Sequence, residues 1–452
     1  MQKNVTRSLD LPIILLVLYT CTYFVYYDLG IRAIYYLLIF VMFFVAGFLK
    51  QMRTKYLQHI KINSIKLSFI FLAFMMFVIF IRPDSTHNKS TVAYTGIIVL
   101  CALMLLISNA ECKSAEKSLK MLAFTSVVVA GVSIYFTLNK KLYSELIYPI
   151  LGSNSQSYFE LTSVKGYGIS LGGVTYTAYF LATGIAIFHG YIISKKRLTR
   201  RKYIQILCLV GILFVSLVLL GRKGEFISVI LSLLMMWGIT YSIKKGRVGK
   251  GGFLMLVWMI PILAIIIYFY FPKLLNRNFF QRYLMMFDNF RKGQDFTSGR
   301  IQLWKWGWEL FTQHPVFGGG LGSYSRFVPE AWRITGAGTV IESPHIVYLH
   351  FLCEFGIVGF TLLMIPLTHI FIKTLKQYIR LTTLKIRKGN KKQEELTLCI
   401  NASSLFLQIF FAFLFFFDQT FSLIQFWLFY CITVYFSSFA LYYKPLLIEN
   451  IR

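Results

Sequence analysis

Apolar runs of about twenty residues, separated by short polar segments, recur along the whole chain. A bilayer's hydrocarbon core is crossed by a helix of about 17–25 such residues. Runs of that length fall near 11–28, 31–49, 65–82, 91–108, 119–138, 167–193, 203–220, 225–243, 252–272, 346–371, 397–417 and 420–443. The pattern predicts an all-α, polytopic helical membrane protein with about 12 transmembrane helices. The first run lacks a small-residue cleavage site and leads directly into a second, so it reads as a membrane helix rather than a removed leader. No internal repeat and no matched pair of interrupted helices stands out, which counts against a secondary transporter. Three regions follow: an N-terminal bundle over 1–220, a central region over 221–371 that includes one large extracytoplasmic loop at 273–345, and a basic loop with a C-terminal hairpin over 372–452.

Composition agrees. Hydrophobic residues make up 57% of the 452 and charged residues 14%, against roughly 25% charge in a soluble domain. This excludes an ordinary soluble enzyme and a disordered chain. Lys and Arg number 47 against 18 Asp and Glu, a formal net charge of +29. In a soluble protein that excess would suggest nucleic acid, but no nucleic-acid motif is present. The cations collect in alternate loops, at 50–66, 109–118, 194–202, 244–251 and 372–396. By the positive-inside rule these face the cytoplasm. Both termini then lie inside a bacterial cytoplasmic membrane. Of the seven cysteines, six lie in apolar runs and Cys112 in a short basic loop, with no CxxC. Neither a disulfide scaffold nor a zinc site is expected.

The informative cations are those on the outer side. One group is the turn Gly221-Arg222-Lys223-Gly224-Glu225, and the other is the loop 273–345, with Arg282 and Arg300 among its nine Lys and Arg. Arg222 and Lys223 can snorkel to lipid headgroups or build an anion site, since glycine admits close approach and an Arg fork grips phosphate oxygens in pairs. The outer loop holds Trp304, Trp306, Trp308 and Trp332. Residues 301–311 read as a short helix with Trp304 and Trp308 on one face. That helix can lie at the membrane interface, its rings can stack on sugars, or both. Pro315 ends it, and Gly318-Gly319-Gly320 follows as a tight turn. This run lacks the Lys-Ser/Thr and the preceding strand of a phosphate-binding P-loop. Pro344 suits a helix start, which puts His345 in the first helical turn, where the helix dipole favours neutral imidazole. Glu354 follows about 13 Å down the same helix as a buried acid that needs a partner.

These segments, "GRKGE" at 221–225, "SGRIQLWKWGWELFTQHPVFGGGLGSY" at 298–324 and "HIVYLHFLCEFGIVG" at 345–359, together resemble the O-antigen ligase and Wzy-type polysaccharide polymerase family of integral membrane glycosyltransferases. The chain departs from the family's pattern at Ile346, where a polar residue, often Asn, is usual. The resemblance implies a GT-C-like architecture and a cell-envelope substrate, an undecaprenyl-pyrophosphate-linked oligosaccharide at the outer leaflet. It implies Arg222 and Arg300 as stabilisers of the departing diphosphate and His345 as general base or acceptor-positioning group. Lys223, Arg282, Trp304, Trp308 and Glu354 are then candidate substrate contacts. No cofactor or metal is expected, because the outer segments carry no DxD or paired-carboxylate cluster. Membrane lipids, a flippase and a chain-length regulator are the expected partners. The implied activity is repeat-unit polymerisation for capsular polysaccharide, exopolysaccharide or O-antigen. The alternatives are ligation of the glycan to another acceptor and, in a different class, a lipid-linked glycan flippase, which would need charges deep in several helices. Heavy use of Ile, Lys, Phe and Tyr suggests a bacterium with an AT-rich genome and no lipid A, which inclines the reading to the polymerase.

Overall fold

A computed structural model describes residues 112–146, 148, 174–195, 198–243, 288–289, 291–292, 299–320, 322–330, 343–383 and 391–417. Over these residues the chain is helical: α1 (Cys112–Leu138), α2 (Lys140–Leu146), α3 (Val174–Ser194), α4 (Arg200–Leu219), α5 (Lys223–Ile243), α6 (Arg300–Gln313), α7 (Ser323–Phe327), α8 (Val347–Thr383) and α9 (Lys391–Leu414). Among the described residues six helices are long and apolar enough to cross a membrane, namely α1, α3, α4, α5, α8 and α9. They coincide with six of the twelve expected runs. The expected runs at 11–28, 31–49, 65–82, 91–108, 252–272 and 420–443 lie outside the described residues, as does Arg282.

The centre of the bundle is α3, which packs against α1, α4 and α9 and touches α5. Membrane helices associate without a hydrophobic driving force between them, so close approach at small residues decides which faces meet. Two glycines of α3 do this. A methyl group on Gly184 would fall 2.6 Å from Ser126 Cβ of α1, and one on Gly190 would fall 2.6 Å from the Cys399 carbonyl of α9. Around these contacts Tyr179, Leu181, Ile185, Phe406 and Phe410 are fully buried.

Both ends of the bundle are tied. At one end Lys195 donates to Glu395, a bond that holds the Lys195 ammonium above its ordinary pKa. There the last turn of α3 meets the first turn of α9, beside the start of α4. This end carries the basic segments assigned to the cytoplasm. The other end holds the α4–α5 turn, the start of α8 and the end of α9, where the Val347 N–H donates to the Phe415 carbonyl at 2.9 Å.

α8 departs from its expected form in two ways. It continues to Thr383, about twelve residues beyond the span expected to close at 371. Packing against α5 explains the extension: Tyr378 is fully buried there, its hydroxyl 2.6 Å from Thr240 Oγ1. Residues 372–383, expected in the cytoplasmic loop 372–396, therefore stay helical. The second departure is a break inside the helix, at Gly356 with φ 64° and ψ −170°.

Replacing Gly190 with leucine should separate α3 from α9. Overpacking of this kind costs about 1–3 kcal/mol, so the unfolding midpoint in detergent should fall by several degrees. Substituting Gly238, with nothing within 4 Å of the added methyl position, should leave it nearly unchanged.

Candidate functional site

The site sits where helices α6 and α7 meet the first part of α8. α6 buries Leu303, Gly307 and Leu310, a stripe at helical spacing. Gly307 lets this face reach Leu349, whose Cδ2 would lie 3.0 Å from an added methyl. Trp306, Phe311 and Phe327 close a second cluster around Tyr324, Val328 and Cys353. Burial raises the Tyr324 phenol above its ordinary pKa, and the neighbouring Cys353 adds to this. It remains a donor to the Leu303 carbonyl, 2.9 Å away.

The expected short helix at 301–311 is present and ends just before His314-Pro315. The glycine run that follows is occupied by the protein itself. The N–H groups of Gly319 and Gly320 donate to the carbonyls of Cys353 and Glu354, at 2.8 and 2.9 Å, and Ile357 and Val358 donate back to the carbonyls of Pro315 and Val316, at 2.9 and 3.2 Å. These four α8 groups lie on the two sides of the Gly356 break. The 314–320 segment therefore repairs the helix by lending it main-chain partners. Only glycine fits at the crossing: a methyl on Gly318 would fall 2.3 Å from the Glu354 carbonyl oxygen, and one on Gly356 would fall 2.3 Å from the Val316 oxygen.

Glu354 is 2% exposed, and its partners are in place. Oε1 accepts from the Gly322 N–H at 2.9 Å and lies 3.2 Å from His350 Nε2. His350 was not singled out in the sequence. The signal available for it was its i, i+4 spacing to Glu354.

Arg222 caps α5, its carbonyl accepting from the Phe226 N–H. Its Nε and Nη2 both lie 2.7 Å from Glu225 Oε1. Glu225 is buried at 1% exposure, in the first helical turn, where a negative charge is favoured. Lys223, the first residue of α5, is half-buried. Arg300 begins α6, and its Nη1 donates to the Phe417 carbonyl at 2.8 Å. That carbonyl lies just past the end of α9, at the negative end of its dipole. His345 lies outside the helix rather than in its first turn. α8 opens at Val347 because the Ile346 carbonyl accepts the first helical bond, from His350. The expected dipole effect on its imidazole therefore has no first-turn basis. Instead His345 is the single non-glycine residue with positive φ (56°) among the described residues, and its N–H donates to Ser343 Oγ at 3.2 Å. Strained backbone of this kind clusters at functional sites.

One turn, Phe415–Phe417, is met by Arg300 and by chain neighbours of Arg222 and His345. Arg300 bonds it directly. Arg222 is two residues from Gly224, where an added methyl would fall 2.9 Å from Phe417 Cβ. His345 is two residues from Val347, whose N–H donates to the Phe415 carbonyl. No sequence signal pointed to this turn. Trp304 and Trp308 share one face, as expected, and line a shallow groove along α6 with Lys305, Glu309 and Thr312. A cavity of about 200 Å³ lies between α8 and α9, bounded by Tyr348 and Phe415 and, further along, Leu367, Phe371 and Gln408.

Gly356→Ala should detach the 314–320 segment. The backbone region is essentially reserved for glycine, and the strain alone costs about 1–3 kcal/mol before the clash is counted. Limited proteolysis between α6 and α7 should accelerate severalfold. Glu354→Ala should do the same, since an unpartnered buried donor costs about 1–3 kcal/mol, whereas Glu354→Gln should have a smaller effect.

No curated protein matches the chain. A family model described as O-antigen ligase matches residues 208–364. The matched stretch begins within α4 and ends within α8, and it takes in Arg222, Arg300, His345 and Glu354. Over residues 208–364, about a third of the chain, the sequence is similar to the O-antigen ligase family.

Proposed function

We propose that this protein is a membrane glycosyltransferase that moves a glycan from a polyprenyl-pyrophosphate carrier to an acceptor hydroxyl at the outer membrane face. The observation that carries the reading is the family match, which spans the candidate residues on α5, α6 and the start of α8. The bond of Arg300 to the Phe415–Phe417 turn, which Gly224 and Val347 also meet, supports it. The family's description favours ligation to a distinct acceptor over the repeat-unit polymerisation expected from the sequence.

In this reading the acceptor oxygen attacks the anomeric carbon as the bond to the pyrophosphate oxygen breaks, and the centre inverts. Arg222 and Arg300 take up the charge growing on the diphosphate. Fixed donors aimed at developing charge cost no reorganisation during the reaction. Each guanidinium is held by a partner, Glu225 for Arg222 and the Phe417 carbonyl for Arg300. His345 receives the acceptor's proton or orients the acceptor. Lys223 and Arg282 add positive charge around the phosphates. Trp304 and Trp308 offer rings to sugar faces, with Lys305, Glu309 and Thr312 as polar neighbours. The apolar cavity beside Tyr348 and Phe415 suits part of the carrier's tail. Glu354 serves by position: it holds Gly322 and His350 and so fixes the outer segment above the membrane helix. A flippase and a chain-length regulator remain candidate partners.

The size profile of carrier-linked glycan tests this reading. A deletion strain and strains carrying His345→Ala or Arg300→Ala should all accumulate finished glycan on the carrier and lose the acceptor-linked product, by at least about 100-fold for a residue that stabilises the transition state. Accumulation of single repeat units with no ladder would instead make the protein a polymerase. Units trapped facing the cytoplasm would make it a flippase.

A further inference from the structure

The tip of the loop after α6 carries an observation that the reaction does not use. Val316 and Phe317 are 49% and 58% exposed, and Ile357 of α8, beside them, is 49% exposed. Large apolar side chains grouped on a surface mark a contact with something else. Their level in the membrane can be read from α8. Between Glu354 and Lys373 the helix contains no Asp, Glu, Lys or Arg. Past the break, residues 357–372 make about 24 Å of helix at ~1.5 Å per residue, most of the ~30 Å of a hydrocarbon core. The Gly356 break therefore lies near one edge of the hydrocarbon. The Val316 carbonyl accepts from the Val358 N–H, and the Pro315 carbonyl from Ile357. The tip thus lies beside the first turn of the hydrocarbon segment and not above it.

Irregular backbone enters that region only when its polar groups are satisfied internally. Here the carbonyls of Pro315 and Val316 accept from α8, proline has no N–H to satisfy, and the N–H groups of Gly318, Gly319 and Gly320 donate to the carbonyls of His314, Cys353 and Glu354; the N–H groups of Val316 and Phe317 take no part in these bonds, which keeps the tip at the headgroup boundary rather than inside the hydrocarbon. We propose that Val316 and Phe317 form a short interfacial wedge whose partner is membrane lipid at this edge, and that this wedge holds α6 at the membrane surface. The occupant is lipid because the tip is hydrogen-bonded to a helix apolar enough to span the membrane and continues the lipid-facing surface of that helix at Ile357. The inference is independent of which reaction the site performs.

The test places a photo-crosslinking amino acid, Phe317→p-benzoylphenylalanine, in the full-length protein reconstituted into phosphatidylglycerol–phosphatidylethanolamine vesicles. The same probe at the exposed Glu330 is the control. Mass spectrometry after illumination should show a phospholipid adduct at position 317, severalfold more abundant than at position 330. A crosslink to a second copy of the chain, a crosslink to another segment of the same chain, or lipid labelling no greater than at position 330 would each overturn the proposal.

Discussion

The packing of α6 and α7 on α8 depends on main-chain hydrogen bonding across a broken helix. At Gly356 α8 leaves helical geometry, which would strand carbonyls and amides on both sides of the break. In a membrane each such group costs several kcal/mol if it stays unsatisfied. The 314–320 segment meets the cost by pairing with Cys353, Glu354, Ile357 and Val358. Much else then follows. Gly318 must be glycine because it lies against the Glu354 main chain. Gly322 comes within reach of the Glu354 carboxylate. α6 and α7 are held over the first turns of α8, with Gly307 against Leu349. A glycine-rich run that could be mistaken for a phosphate cradle is in fact a seam between two parts of the same chain.

A second constraint organises the charges. Arg222 faces a buried carboxylate in the first turn of α5, and Arg300 faces a carbonyl beyond the last turn of α9. Both arrangements follow the direction of the helix dipole. An Arg at the start of α6 is unfavourable for that helix alone, and the end of α9 supplies the compensating negative potential. Two cations are thereby fixed in direction by partners from the chain itself.

Local features of this design were legible in the sequence, and long-range ones were not. Length and hydropathy marked α4 and α5 to within about three residues, because a membrane helix must be apolar along its crossing, whereas α1 and α9 begin seven and six residues ahead of the expected runs, in the polar segments 112–118 and 391–396. The helix around Trp304 and its stop before Pro315 were legible for equally local reasons. The break at Gly356 was not, since a glycine in an apolar run looks the same whether it is helical or not. What decides between the two is a loop some forty residues earlier. The placement of His345 outside α8 was not legible either: Pro344 fits a helix start, but the first helical bond runs from His350 to the Ile346 carbonyl, and Val347 bonds to the distant Phe415. The Phe415–Phe417 turn acts through carbonyls, which every residue has, so its side chains carried no hint. Arg222, Arg300 and Glu354 were visible because charge is rare and conspicuous in such a chain.

α9 is fastened at both ends. Near its start Glu395 binds Lys195, and just past its end Phe415 and Phe417 hold α8 and α6. Midway, Ser403 and Cys399 press on Gly190. A helix clamped in this way acts as a ruler. One residue added or removed within it would turn the far end by about 100° and shift it by ~1.5 Å, so either the Lys195–Glu395 clamp or the Phe415–Phe417 turn would lose its register. The spacing between the two faces is therefore written in a residue count, and α9 tolerates changes of side chain far better than changes of length.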